Sequence, residues 1–137
     1  MVTSDQAMNA VLVHMDGDFS WDINCCCRTA SKAFQALWGI DPMGEHGYAT
    51  ARQAYAAISS AGGRDAYISG LARKAGLETC SDEPGAIGIV LTGQGLGWAL
   101  GICIEPKAWA VKADRGVMFH TDYEKAWRAK CRNPSLS

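Results

Sequence analysis

Three consecutive cysteines, Cys25, Cys26 and Cys27, are the residues of this chain with the most chemistry in them. Neighbours on one backbone cannot easily bring their Cβ atoms into disulfide geometry, so the run is not read as a bridge of its own. Three uses remain: packing thiols, metal ligands, or a nucleophile. Cys80, Cys103 and Cys131 could serve as remote ligands of a zinc or iron–sulfur site, but no C-x-x-C pair exists and adjacent cysteines rarely both ligate a compact site. The expectation is therefore no metal and no cofactor. A nucleophile needs thiolate character and a base, most often histidine. The histidines are His14, His46 and His120. All three read first as surface residues, and His120, closing the last short β-run, is kept as the candidate base.

The elements that must position these groups are legible from periodicity and caps. Ser4 or Asp5 caps a first helix with Ala7, Met8, Val11, Leu12 and Met15 at helical spacing, stopped by Gly17. Asn24 is a good N-cap for a second helix from Cys25 to Trp38, ended by Gly39 with Asp41 and Pro42 beyond. Thr50 opens a third that runs to Ser60, and Asp65 caps a fourth carrying Tyr67, Ile68, Leu71 and Ala72, closed by Gly76. After Pro84 the texture changes to short β-rich runs, Ala86–Thr92, Trp98–Ile104, Ala108–Lys112 and Val117–His120. Runs this closely spaced form an antiparallel meander, because parallel strands need long crossovers. Thr121 and Glu124 form a capping-box pattern for a last helix with Tyr123, Ala126 and Trp127. Helices first and a meander after give a single α+β domain over residues 1–137.

On the second helix, steps of about 100° put Ala30, Ala33, Phe34 and Leu37 on one face with Cys26 in its middle. Cys25 falls on the side of Thr29 and Lys32, and Cys27 flanks the apolar face beside Phe34 and Trp38. Only Cys26 is thus expected to point from the first turn into whatever the helix packs on. The positive end of the helix dipole and its unpaired N–H groups favour thiolate there, and Arg28 adds positive charge nearby.

Composition narrows the function. With 13 Lys and Arg against 14 Asp and Glu, no basic surplus exists to displace phosphate counterions, so nucleic acid is not an expected partner. The first residues have no basic n-region or small-residue cleavage site, and no window approaches the ~20 apolar residues of a membrane span. Synthesis in a reducing cytoplasm with free thiols is the expectation. Five tryptophans, Trp21, Trp38, Trp98, Trp109 and Trp127, supply core bulk and, where exposed, contact points for a partner.

Phe19-Ser-Trp21-Asp22-Ile-Asn-Cys25-Cys26, followed by Ala36-Leu37-Trp38-Gly39-Ile40-Asp41-Pro42, resembles the F-x-W-G-x-x-D-C…A-L-x-G-x-D-P signature of small phage and prophage tail proteins. Tyr48, Ala51-Arg52, Gly62-Gly63, Ala75-Gly76-Leu77, Pro84-Gly85-Ala86-Ile87-Gly88, Ala99-Leu100-Gly101-Ile102 and Trp109-Ala110-Val111-Lys112 follow in the same order. More distantly the chain is similar to NlpC-type cysteine peptidases, which implies a papain-like fold with the catalytic Cys opening a helix packed on a small antiparallel sheet. The resemblance puts Cys26 at the nucleophile, Cys25 in place of the usual Asp, Asp22 in place of the usual Gly, and Ala99 where those peptidases carry the catalytic His. Loss of a general base typically costs a factor of about 100 to 10,000.

The resemblance implies a structural or assembly protein of a phage tail tip on a degenerate peptidase scaffold. It would be assembled in the bacterial host cytoplasm and located in the virion tail, with other tail-tip or hub proteins as partners. The alternative it implies is an active thiol hydrolase cutting peptidoglycan stem peptides, with Cys26 as nucleophile and His120, or a partner's His, as base.

Overall fold

A computed structural model describes residues 1–20, 25–44, 50–93 and 97–130. The order is α1 (Ser4–His14), α2 (Cys26–Trp38), α3 (Ala51–Ser60), α4 (Arg64–Lys74), β1 (Leu77–Cys80), β2 (Ile87–Leu91), β3 (Trp98–Glu105), β4 (Ala108–Lys112), β5 (Val117–His120) and β6 (Tyr123–Ala129). The α+β class and the antiparallel meander β2–β3–β4–β5 are as expected. The described strands form one antiparallel sheet in the order β1-β6-β2-β3-β4-β5.

The helices start and stop for local reasons. Thr3, one residue before the expected caps, closes α1 with a reciprocal capping box to Gln6. Thr50 caps α3 through Gln53 N–H as read. Gly63, not Asp65, is the N-cap of α4, and Asp65 sits in its first turn beside the positive helix end. Gly39 takes the left-handed conformation that ends α2. Cys25 is the N-cap of α2, one residue later than read; Asn24, like Trp21, Asp22, His46, Tyr48 and Cys131, lies outside the described residues.

The last element is a strand, not a helix, held by pairing with β1 and β2, and a bulge gives it helical spacing. Ile89 pairs with Lys125 and Val90 with Tyr123, so Glu124 is an extra residue in β6. The extra residue shifts the alternation, putting Tyr123 and Ala126 on one face and Trp127 and Ala129 on the other. Tyr123, Ala126 and Trp127 therefore carry helical spacing inside a strand. β6 has partners on both sides, and one of them is β1, a strand absent from the sequence reading. Arg128 of β6 ties that edge together, donating to Glu78 and Glu83.

All four helices cover one face of the sheet. The main core joins Val11 and Met15 of α1 and its end, Ala30, Ala33 and Phe34 of α2, Ala54 of α3 and Tyr67 to Ala72 of α4 with Ile89, Leu100, Ile102 and Trp127. Burying a side chain such as Phe34 contributes about 1.5–3 kcal/mol. Trp38 donates its indole N–H to the Gly85 carbonyl at 2.9 Å, fastening the end of α2 to the loop before β2. The far face carries a second, smaller cluster of Ala86, Val90, Cys103, Trp109, Val111 and Ala126.

That second cluster depends on two facing glycines. Gly88 and Gly101 are cross-strand partners, and the Trp109 ring lies over Gly88. A Cβ on Gly88 would stand 2.6 Å from the Lys125 carbonyl and 2.8 Å from the Trp109 ring. Gly88→Ala is expected to lower stability by about 1–3 kcal/mol, read as a shift in urea midpoint; an unchanged midpoint would contradict the packing described.

Candidate functional site

Cys26 is the first residue of α2, and its N-cap Cys25 makes no side-chain capping bond. The first-turn N–H groups are thus left for another acceptor. The Cys26 sulfur takes that role: N–H groups of Cys26 and Cys27 bear on it from the helix end, and the Leu100 N–H bears on it from β3. The β3–β4 ladder ends at Gly101↔Val111, so Leu100 lies one residue beyond it, where the helix end comes in. Cys27 Sγ stands 4.0 Å from Cys26 Sγ. The Cys27 thiol contact and these N–H groups outweigh the burial that opposes ionisation, and together they lower the Cys26 thiol to about 7.

The other thiols behave differently. Cys25 and Cys27 are buried and Cys26 is only partly so, which corrects the expectation that Cys26 alone points inward. The helix start is inserted into the fold, so its sides are covered as well as its packing face. Tyr67 of α4 is near both buried thiols; burial, reinforced by their charge, pushes its phenol up to about 12. Cys80 and Cys103 are pushed up to about 12, first by burial and then by acidic neighbours, Glu83 and Asp82 respectively. All five described cysteines are free thiols, and among the described residues no three His, Cys, Asp or Glu side chains could hold a metal ion.

Cross-strand partners share a face of a sheet, which locates the candidate bases. His120 is opposite Trp109, a residue of the far-face cluster, so His120 and Cys26 lie on opposite sides of the sheet. His14 lies on the helix side but in a groove with Ala36, Leu37 and Trp38, at the other end of α2, ~16 Å along the axis from Cys26. His46 lies outside the described residues. Ala99 packs in the far-face cluster, whereas Trp98 and Leu100 face the helices. The strand positions presented to Cys26 are thus Trp98 and Leu100, and the structure does not bring Cys26 together with His120 or with the side chain of residue 99.

Two contributors escaped the sequence. The Leu100 N–H is a backbone donor that no residue type announces. Lys112, at the end of an apolar run, is buried, and its ammonium donates to the carbonyls of Gly17, Ala113 and Gly116. It fastens the segment after α1 to the β4–β5 turn, and burial lowers its pKa.

Fold and site together define a class: an α+β domain that opens a core helix with an activated, partly exposed thiol and no facing imidazole among its described residues. Residues 3–129 match the family described as Domain of unknown function (DUF6950), and the chain belongs to that family. No curated protein and no solved structure matches it. Among the described residues no helix is long and apolar enough to cross a membrane.

The site makes a direct prediction. Thiolate is the reactive form, so alkylation of Cys26 by iodoacetamide in the folded protein rises with pH to half its maximum near pH 7, while Cys80 and Cys103 stay unlabelled into the alkaline range. Peptide mapping of pulse-labelled protein reads this. A Cys26 profile centred near pH 9 would show that neither the Cys27 thiol nor the N–H groups act on the sulfur.

Proposed function

We propose that the chain is a structural or assembly component of a phage tail tip, built on a papain-like, NlpC-type scaffold that no longer hydrolyses. One observation carries the non-hydrolytic part of this reading: the helix-facing side of β3 offers Cys26 a leucine, a tryptophan and a backbone N–H, and no base. An activated sulfur without a proton acceptor binds and positions, but it does not run an acyl-transfer cycle that must also protonate a leaving amine. The α+β order, with a cysteine opening a helix packed on an antiparallel sheet, supports the scaffold. The run of motifs from Phe19 to Lys112 supports the tail assignment, with other tail-tip or hub proteins as partners and the virion tail as location.

Cys26→Ala is expected to leave tail assembly and infectivity within twofold of wild type, and the wild-type protein to release no fragment from purified peptidoglycan. Mass spectrometry of purified particles should place the chain in the tail fraction. Its absence from particles and from tail intermediates would sink the tail assignment. Cys26-dependent release of stem peptides would sink the non-hydrolytic reading.

The lowered Cys26 thiol favours a second reading, a thiol hydrolase acting on peptidoglycan stem peptides. Its base would have to come from a partner or from residues outside those described, since His120 stands on the other side of the sheet.

A further inference from the structure

The sheet has two edges, and they are built differently. At β1 the edge carries Glu78 in an ion pair with Arg128, and α4 packs beside it. At β5 the edge is Val117-Met118-Phe119-His120, with no lysine, proline or acidic residue in the strand. Met118 is 42% and Phe119 51% exposed, large apolar side chains on opposite faces of the sheet. Among the described residues nothing pairs with the outer side of this strand; the segment after α1 reaches only the preceding turn, through Asp18↔Arg115 and Gly116 N–H to the Gly17 carbonyl. Native proteins seldom leave an apolar edge unguarded.

We infer that β5 is a self-association edge, by which two copies of this chain join through antiparallel pairing of Val117–His120 into one continuous sheet. The backbone is matched to itself. Ala113 N–H donates to the Gly116 carbonyl in the same register as Lys112↔Val117 and Val111↔Met118. Alternation then assigns the bonded pairs with β4 to Met118 and His120, and turns the N–H and C=O groups of Val117 and Phe119 outward. A two-fold axis through Met118, perpendicular to the sheet, sets Val117 of each copy opposite Phe119 of the other, and about four intermolecular bonds form.

The apolar side chains agree with that register. Each Val–Phe pair is a β-branched residue against an aromatic, a favourable cross-strand combination, and Met118 meets Met118 of the second copy on the far face. Asp114 and Arg115 precede the strand and Asp122 follows it. In this register Arg115 of one copy stands opposite Thr121 of the other and diagonal to its Asp122, whose direct partner is Asp114, so the guanidinium lies next to a facing pair of carboxylates. A four-residue strand with its flanks covers less than the ~1,000 Å² of a tight interface, so a dimer with Kd on the order of 10 μM is the expected scale. This inference is independent of the thiol and of the tail assignment.

Sedimentation equilibrium of the full chain from low to high micromolar concentration tests it. Wild type is expected to pass from monomer to dimer. Phe119→Pro removes an outward N–H without touching the β4 ladder, and Phe119→Lys places a charge on the edge. Both should weaken association at least tenfold while far-UV circular dichroism and melting stay as in wild type; if the proline variant unfolds, the lysine variant decides. Met118→Cys, close across the axis, should cross-link as a dimer under mild oxidation. A wild type that stays monomeric at the highest concentration overturns the inference. So does a dimer that survives Phe119→Lys, or one that forms without the Met118→Cys cross-link.

Discussion

The closeness of α2 to β3 is the constraint on which the rest of the molecule depends. Ala30 and Ala33 put small side chains on the buried face of the helix, which packs on β3, and Phe34 shares their core with Leu100 and Ile102. Larger residues at the two alanines would hold the helix off the sheet. The same close approach that buries the core also delivers the first turn of α2 to the point where β3 runs beyond its ladder with β4. There the Leu100 N–H and the N–H groups of the helix start converge on one sulfur. Packing therefore produces the unusual thiol; the sulfur needs no charged neighbour to be lowered, since hydrogen-bond donors suffice.

The two faces of the sheet divide the chemistry. On the helix side lie the thiol run, Tyr67 and the buried ammonium of Lys112; on the far side lie His120, Ala99 and the Trp109 cluster. A strand alternates faces at every residue, so a one-residue choice decides whether a side chain can reach Cys26 at all. Carrying a peptidase histidine onto Ala99 by motif alignment lands on the far face. A histidine able to meet Cys26 from this strand would stand at 98 or 100.

What was readable in the sequence follows from which signals are local. Periodicity and caps found α3 from Thr50 to Ser60, the stripe Tyr67, Ile68, Leu71 and Ala72, and the strands Ala108–Lys112 and Val117–His120 at their observed bounds, because each depends on residues close in the chain. β1 and β6 were missed because what makes them strands is each other: Leu77↔Ala129 to Cys80↔Ala126 joins segments about 50 residues apart. Glu124 then disguised β6 further by giving a bulged strand the spacing of a helix. At the site, helical phase singled out Cys26, but it could not show that Cys25 and Cys27 would be covered from the side, nor that a backbone N–H on a strand some 70 residues on would join the Cys27 thiol in acting on the Cys26 sulfur.

The thiols also link charge to stability in opposing directions. Cys26 ionises more easily folded than unfolded, at about 7 against 9.0, so its contribution is complete above pH 9 and is lost as pH falls through 7. Cys80 and Cys103 ionise less easily folded, at about 12 against 9.0; their contribution is complete below pH 9 and is lost as pH rises toward 12. The combined thiol contribution is therefore greatest around pH 9, and near neutrality the Cys26 share has mostly disappeared. A thiolate half-formed at neutral pH thus adds little to the fold that forms it. The arrangement at the start of α2 is better understood as setting the reactivity of one sulfur than as holding the domain together, a task left to Phe34, Ile102 and the helix-covered face of the sheet.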